Sequence, residues 1–210
     1  DFEVIVINDG SSDETLEALR RAFSLVPTYL AWRPQLPCGT VRGLYISLAE
    51  RRLLVVDKEN GGKSDALNAG LNLARSPYFC TVDADVVLES DALLRVMAPV
   101  LHSRSLVLAS GGIVRVANGC SVDGGQIRRV GLPRRGVEVL QVIEYLRGFL
   151  FGREVWSALN ALLIISGAFG LFRRSALLQV GGYTHGTVGE DMELIVKLHR
   201  HFREKNEPYS

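Results

Sequence analysis

The stretch FEVIVINDGSSD at residues 2–13 decides the fold class of this chain. Its beginning, residues 2–7, is almost entirely apolar, which is typical of a strand buried on both faces of a parallel sheet. The sequence then changes to Asn, Asp, Gly and Ser, which favour turns and helix N-caps. A helix is predicted over residues 13–23. This order of strand, polar turn and helix indicates an α/β domain whose polar turns lie at the carboxyl edge of the sheet.

The same alternation continues along the chain. Further strands are predicted over residues 44–48, 53–56, 78–82, 106–109 and 169–172. Further helices are predicted over residues 63–74, from about 90, and over 137–151, 155–165, 175–180 and 190–203. Segments 24–43 and 119–136 are rich in proline or glycine and are predicted to be irregular. We therefore expect an α/β fold with a Rossmann-like, mostly parallel sheet and helices on both faces.

Size and composition narrow the possible functions. The 210 residues are enough for a single domain, and one domain over residues 1–210 is expected. The 24 basic and 23 acidic residues argue against a general nucleic-acid binder. Three widely spaced cysteines fit a reducing compartment better than a disulfide framework. The apolar stretch 155–172 is predicted to be a buried helix and a strand, with an amphipathic element on a membrane surface as the alternative.

Two aspartates at a predicted strand end are candidates for a metal site. Asp83 and Asp85 directly follow the apolar run 78–82, and alternate residues of an extended strand point to the same side. Two carboxylates on one side suit Mg²⁺ or Mn²⁺, which complete their coordination with water and phosphate oxygens. The alternative is a plain turn, because Asp is a common turn residue.

Two other segments carry candidate nucleotide-binding residues. Asp9 follows the first strand and can accept hydrogen bonds from a base or a ribose. Lys63 follows two glycines at a predicted helix start, where amide N–H groups and the lysine charge favour a phosphate. Neither segment has the spacing of a P-loop or a dinucleotide motif. A helix cap at Asp9 and a solvated lysine at Lys63 remain the alternatives.

Adjacent carboxylates begin the last predicted helix. Glu190 and Asp191 follow Gly189, and acidic residues at a helix start commonly complement the helix dipole. The other interpretation is a general base, because a carboxylate within reach of a hydroxyl group can take its proton. With a metal-binding pair and a nucleotide-binding turn, such a base indicates group transfer from a nucleotide donor.

Five blocks occur in order: VIVINDGSSDET, VVDKENGGKSDALNAG, VDADVVLESDAL, SGAFGLFRRSALLQVGGY and VGEDMEL. In these blocks the sequence resembles bacterial family 2 glycosyltransferases with the GT-A fold, the group that includes hyaluronan, chitin-oligosaccharide, cellulose and poly-N-acetylglucosamine synthases. The resemblance implies inverting transfer of a sugar from a UDP-sugar to a hydroxyl of a carbohydrate or lipid-linked acceptor. It also implies Mg²⁺ or Mn²⁺ as cofactor and a role in polysaccharide or glycoconjugate synthesis.

The resemblance assigns residues to the donor and the metal. Asp9 would contact the uridine, and Lys63 would lie near the nucleotide-diphosphate part of the donor. Asp83 and Asp85 would form the metal-binding pair, with Asp85 as the more direct ligand.

The resemblance also assigns residues to the reaction itself. Asp191 would be the catalytic base, with Glu190 as its neighbour. Ser166 and Gly167 match a segment that borders the acceptor and the donor sugar.

The chain departs from the family pattern at its ends. Family members begin with a further strand and a nucleotide-binding segment before the NDGS block, and processive members carry a later Q-x-x-R-W block with flanking transmembrane helices. We therefore expect an interior fragment, truncated at both ends, of a membrane-associated enzyme at the cytoplasmic face of the cell membrane. The fragment alone is expected to have little or no transferase activity.

Two other functions fit parts of the same pattern. A nucleotidyltransferase also combines a carboxylate-bound metal with a diphosphate. That function would require a glycine- and arginine-rich phosphate loop after the first strand, and the NDGSSDE segment matches such a loop poorly. A catalytically silent module that binds a nucleotide-sugar within a membrane synthase is the second alternative, although every candidate catalytic carboxylate is present.

Overall fold

The computed structural model describes residues 2–187 and 189–210. The chain divides into two units, one with Asp1–Phe79 and Arg174–Leu194, the other with Cys80–Arg173 and Ile195–Ser210. One catalytic domain over residues 1–210 stays a prediction.

A four-stranded sheet forms the centre of the first unit, with strand order β1-β4-β3-β2. Its strands are β1 (Val4–Asp9), β2 (Leu25–Thr28), β3 (Val41–Ser47) and β4 (Leu53–Lys58). The predicted parallel pairing joins β1 to β4, and its register places Asp9 beside Lys58. β3 pairs antiparallel with β4 because the connection, residues 48–52, is too short for a crossover.

Strand β2 corrects the prediction that residues 24–43 are irregular throughout. It pairs antiparallel with β3 at the edge of the sheet. Pro27 lies in this strand, and proline is tolerated at a sheet edge because its missing N–H interrupts no interior hydrogen bond.

Two helices accompany this sheet, α1 (Thr15–Phe23) and α2 (Lys63–Leu73). α1 begins later than predicted, because Asp13 Oδ1 accepts hydrogen bonds from the Thr15 N–H and hydroxyl at 3.0 and 2.5 Å. α2 packs against β1 and buries residues 68–73. Together the strands and α2 confirm the α/β fold class.

The second unit contains a three-stranded sheet in the order β5-β9-β6, in which β9 is Phe169–Arg173. Between β5 (Tyr78–Val82) and β6 (Ala109–Gly111) lies helix α3 (Ala92–His102). β5 begins in the first unit and continues into the second. The strand predicted over residues 106–109 is shifted toward the C-terminus, since β6 starts at Ala109.

Residues 119–136 contain a hairpin rather than the predicted long loop. β7 (Ser121–Asp123) and β8 (Gln126–Arg129) pair antiparallel around Gly124 and Gly125. Both glycines have positive φ, +56° and +74°, as a tight two-residue hairpin turn requires. The glycine content that suggested a loop therefore belongs to a turn.

The remaining elements follow in chain order. They are α4 (Gly136–Leu146), a π-helical segment (Arg147–Gly152), α5 (Arg153–Ala158), β9 (Phe169–Arg173), α6 (Arg174–Gln179) and α7 (Glu190–Glu204). The helix predicted over residues 155–165 ends early, because Asn160 adopts a left-handed conformation with φ +48°. Among the described residues, none of the helices is both long enough and apolar enough to cross a membrane.

Candidate functional site

The carboxyl ends of β1 and β4 bring Asp9 and Lys58 together in the first unit. Lys58 Nζ lies 2.6 Å from Asp9 Oδ1 and 2.5 Å from Asp65 Oδ1. It also donates a hydrogen bond to the Glu59 carbonyl oxygen at 2.5 Å. The Lys58 side chain is completely buried, and these three acceptors match the three donors of its ammonium group.

Lys58, Asp9 and Asp65 form a charged cluster, and the opposite charges in it stabilise one another. Burial alone lowers the pKa of Lys58, but its hydrogen bonds to Asp65 and Asp9 outweigh burial and raise the pKa above its ordinary value. Burial alone raises the pKa of Asp65, yet the bonds from Lys58 and the Gly39 N–H lower it below its ordinary value. The lysine and Asp65 therefore both stay ionised near neutral pH.

The sequence alone did not identify Lys58 as a site residue, because its predicted strand ended at Val56. The structure makes it the last residue of β4. The available signal was its position two residues after the apolar run 53–56, where a charged side chain reaches the carboxyl edge of the sheet.

The glycine-rich turn after β4 wraps around Asp9. Gly61 N–H donates to Asp9 Oδ1 at 3.0 Å and Gly62 N–H to Asp9 Oδ2 at 2.7 Å. The Asn60 side-chain amide donates to the Asp9 carbonyl oxygen at 2.8 Å. The two glycine amides that were predicted to favour a phosphate thus hold a carboxylate of the protein itself. Lys63 begins α2, and its side chain is exposed.

Asp83 and Asp85 lie directly after β5, in the second unit. β5 ends at Val82, and residues 83–86 form a turn in which Val86 N–H donates to the Asp83 carbonyl oxygen at 3.1 Å. The expectation that the aspartates alternate along an extended strand is therefore wrong. Asp83 is half-buried and Asp85 is exposed.

The segment that contains Ser166 and Gly167 lies beside this acidic turn. Asp83 N–H donates to the Ala168 carbonyl oxygen at 3.1 Å. Ser166 Oγ accepts a hydrogen bond from Ala168 N–H at 3.3 Å. The structure thus brings together Asp83 and the 166–168 segment, and the roles predicted for Asp83, Ser166 and Gly167 stay predictions.

Glu190 and Asp191 open α7, and both are half-buried. Glu193 in the same turn accepts a hydrogen bond from the Thr184 hydroxyl at 2.9 Å. Acidic residues here complement the helix dipole. The block VGEDMEL begins with Val188, which lies outside the described residues. The roles of Glu190 and Asp191 in catalysis stay predictions.

The family model of glycosyl transferase family 2 matches residues 42–181. Among curated proteins, the poly-beta-1,6-N-acetyl-D-glucosamine synthase of Staphylococcus aureus (strain COL) is 29% identical over 208 residues, covering 98% of this chain and 41% of that protein. The corresponding synthase of Staphylococcus epidermidis is 29% identical over 198 residues, covering 94% of this chain and 38% of that protein. The chain therefore spans about two fifths of the length of these relatives.

Among solved structures, the chain is similar to a mannosyltransferase of Pyrobaculum calidifontis in complex with GDP-Man and Mn²⁺. The TM-score is 0.56 at 20% sequence identity, and the match covers 99% of this chain and 44% of the other. At this identity the likeness shows the fold alone, and it confirms the expected GT-A type.

Proposed function

Because the chain belongs to glycosyl transferase family 2, we propose that it carries the catalytic site of an inverting glycosyltransferase. The enzyme moves a sugar from a UDP-sugar to a hydroxyl of a carbohydrate or lipid-linked acceptor in polysaccharide or glycoconjugate synthesis. The likeness to synthases of an N-acetylglucosamine polymer supports this substrate class.

The observation that carries the proposal is the acidic turn after β5. Asp83 and Asp85 lie within the matched residues 42–181 and directly follow a strand of an α/β fold. Ligands of such folds bind beyond the carboxyl ends of the strands. The hydrogen bond from the Asp83 N–H to the Ala168 carbonyl oxygen joins the Ser166 and Gly167 segment to this turn. We propose that this segment borders the donor and acceptor sugars.

Asp9 receives the uridine of the donor. Three hydrogen bonds from Lys58, Gly61 and Gly62 fix the carboxylate. A carboxylate has about four acceptor positions, so Asp9 retains capacity for an N–H donor of the base. Lys63, exposed at the start of α2, contributes positive charge to the diphosphate.

Asp83 and Asp85 hold Mg²⁺ or Mn²⁺, with Asp85 as the more direct ligand. The described residues contain no group of three or more His, Cys, Asp or Glu side chains that could hold a metal ion. Two carboxylates nevertheless fit these ions, which commonly take one or two carboxylates and fill their remaining positions with water and substrate phosphate. When bound, the cation neutralises charge on the departing diphosphate.

Asp191 is the general base. A carboxylate oxygen of Asp191 takes the proton of the acceptor hydroxyl as its oxygen forms a bond to the anomeric carbon. The bond between that carbon and the diphosphate breaks on the opposite face, which inverts the configuration. Glu190 precedes the base at the start of α7, and its carboxylate complements the same helix N-terminus.

We also propose that the protein acts at the cytoplasmic face of the cell membrane. This location is what the resemblance of the five sequence blocks to polysaccharide synthases implies. The chain spans about two fifths of the length of these synthases, and we propose that these 210 residues alone have little or no transferase activity.

The proposal is tested by offering the protein UDP-, GDP- and CDP-sugars with Mn²⁺. We expect UDP release, and its loss in Asp85→Ala and Asp191→Asn. Asp123→Ala, a substitution at an exposed aspartate of the β7–β8 hairpin, is the matched control and keeps turnover. Unchanged turnover in Asp85→Ala and Asp191→Asn would contradict the assigned site.

Two results would favour the alternative functions. Release of pyrophosphate from a nucleoside triphosphate and a sugar phosphate would indicate a nucleotidyltransferase. Tight UDP-sugar binding without turnover in the full-length protein would indicate a silent binding module.

A further inference from the structure

An open cavity of about 570 Å³ lies in the second unit, between the β7–β8 hairpin and the start of α4. Its lining includes three arginines, Arg129, Arg134 and Arg135, and one carboxylate, Glu138. All three arginines are exposed. Within residues 2–187 and 189–210, no ion pair joins any of the three guanidinium groups to a carboxylate. The cavity therefore has an excess of positive charge.

The backbone that lines the cavity adds to its positive electrostatic potential and determines the position of the cavity wall. Helix α4 begins at Gly136, directly after Arg135, and no side chain caps its first N–H groups. These N–H groups favour an anion. Gly119 has φ +88°, and a Cβ there would lie 2.5 Å from the backbone of Leu132, so two segments of the wall are in close contact.

Exposed apolar side chains are close to the arginines in sequence, and one of them, Leu132, lines the cavity. Val130, Leu132, Val137 and Leu140 are between 63% and 81% exposed. Large exposed apolar residues next to arginines are typical of surfaces that enter the boundary between lipid headgroups and acyl chains. A free phosphate ion would use the arginines but would leave these four side chains in water.

We infer that this cavity binds the phosphate headgroup of an anionic lipid surface. Arg129, Arg134 and Arg135 contact phosphate oxygens, because the planar guanidinium group matches phosphate with paired N–H donors. Val130, Leu132, Val137 and Leu140 contact the acyl region. None of these residues belongs to the proposed donor, metal or base sites, so the inference can fail without affecting the proposed transferase activity.

The test is co-sedimentation of the protein with vesicles of phosphatidylcholine alone or mixed with phosphatidylglycerol. We expect binding to the mixed vesicles and little to phosphatidylcholine. The triple variant Arg129→Gln, Arg134→Gln, Arg135→Gln should bind the mixed vesicles more weakly by on the order of 100-fold, from the attraction of three cations to an anionic surface. Circular dichroism verifies that the variant is folded.

A second triple variant is the charge-matched control. Arg33→Gln, Arg51→Gln, Arg104→Gln removes the same charge from exposed positions that do not line the cavity. Its binding should change by no more than about twofold, because these guanidinium groups do not line the cavity and make no paired contacts to the lipid phosphate. An equal loss in both variants would show general charge attraction and overturn the inference.

A further pair of measurements separates the lipid from other ligands. Leu132→Asn with Val137→Asn should weaken vesicle binding and leave inorganic phosphate binding, measured by calorimetry, unchanged. Phosphate binding that depends on the arginines, without any preference for anionic vesicles, would identify a free anion as the ligand and overturn the inference. Absence of binding to both kinds of vesicle would overturn it as well.

Discussion

Lys58 Nζ lies 2.6 Å from Asp9 Oδ1, where the parallel strands β1 and β4 end side by side. The lysine is completely buried and also contacts Asp65. This cluster underlies the first two predictions.

Lys58→Met should destabilise the protein by about 3 kcal/mol, because removing one member of a buried ion pair leaves the remaining charges without compensation. Urea unfolding measures the change. Lys63→Met, at the exposed lysine that begins α2, is the matched control and should change stability by less than about 0.5 kcal/mol. Equal losses in both variants would contradict the prediction.

The stability that the cluster provides should depend on pH at both extremes. The pKa of Asp65 is lowered in the folded state, so its contribution is present above the unfolded pKa and disappears as pH falls through the folded pKa, below about 4. The pKa of Lys58 is raised, so its contribution is present below the unfolded pKa and disappears as pH rises through the folded pKa, above about 10.4. The stability difference between wild type and Lys58→Met should therefore be constant from about pH 5 to 9 and decrease outside that range. If the stability difference between wild type and Lys58→Met changed steadily through neutral pH, a group other than Lys58 and Asp65 would control its pH dependence.

Three substitutions of glycine by alanine should change the free energy of unfolding by different amounts, in a fixed order. Gly10→Ala combines a positive φ of +69° with a Cβ placed 2.6 Å from Asn60 N, and should cost most. Gly62→Ala, with φ +82° and open space around the Cβ, should cost about 2 kcal/mol from backbone strain alone. Gly136→Ala, at the start of α4, has neither problem and should be neutral or stabilising. Thermal unfolding midpoints measure the order, and a Gly136→Ala loss as large as that of Gly10→Ala would contradict it.

Asn68 should be essential for the stability of the first unit. Its Oδ1 accepts from the Tyr183 N–H and its Nδ2 donates to the Tyr183 carbonyl oxygen, both at 2.9 Å. Asn68→Ala removes both hydrogen bonds to the backbone of the buried Tyr183 and should cost about 2–4 kcal/mol. Denaturant unfolding tests this prediction. Asn118→Ala, at an exposed asparagine, is the control, and its change in the free energy of unfolding should be near zero. A small loss for Asn68→Ala would mean that water replaces the side chain.

Asp85→Asn should weaken Mn²⁺-dependent binding of UDP without changing the stability of the protein. Asp85 is exposed, so the unfolding midpoint should stay within about 1 °C of wild type. Mn²⁺-dependent binding of UDP should fall by on the order of tenfold or more, because a neutral amide replaces a charged metal ligand. Calorimetry with and without Mn²⁺ makes the comparison, with Asp123→Asn as the control. Unchanged Mn²⁺ dependence would exclude Asp85 as a ligand.

The sequence predicts well what depends on local pattern. The apolar run 78–82 coincides with β5, and the polar residues after it mark the acidic turn. Asp9 ends β1, at the predicted edge of the sheet. These positions follow from strand length and from turn residues, both of which can be recognised in a single sequence.

Contacts between distant segments could not be predicted in this way. The meeting of Lys58 with Asp9 depends on the register of two parallel strands, which neither strand specifies alone. Asn68 lies among apolar residues of α2, where helical periodicity favours Ala and Leu for the buried side. Only the position of Tyr183 shows why an amide is buried there.

The net charge of the cluster at the ends of β1 and β4 would affect the orientation of a nucleotide at the proposed donor site. One ammonium and two carboxylates leave a net formal charge of −1, and every donor of Lys58 is already used. Such a surface repels phosphate and attracts neutral N–H groups. We therefore infer that a nucleotide bound at the proposed donor site would place its base at Asp9 and keep its diphosphate away from the end of β1.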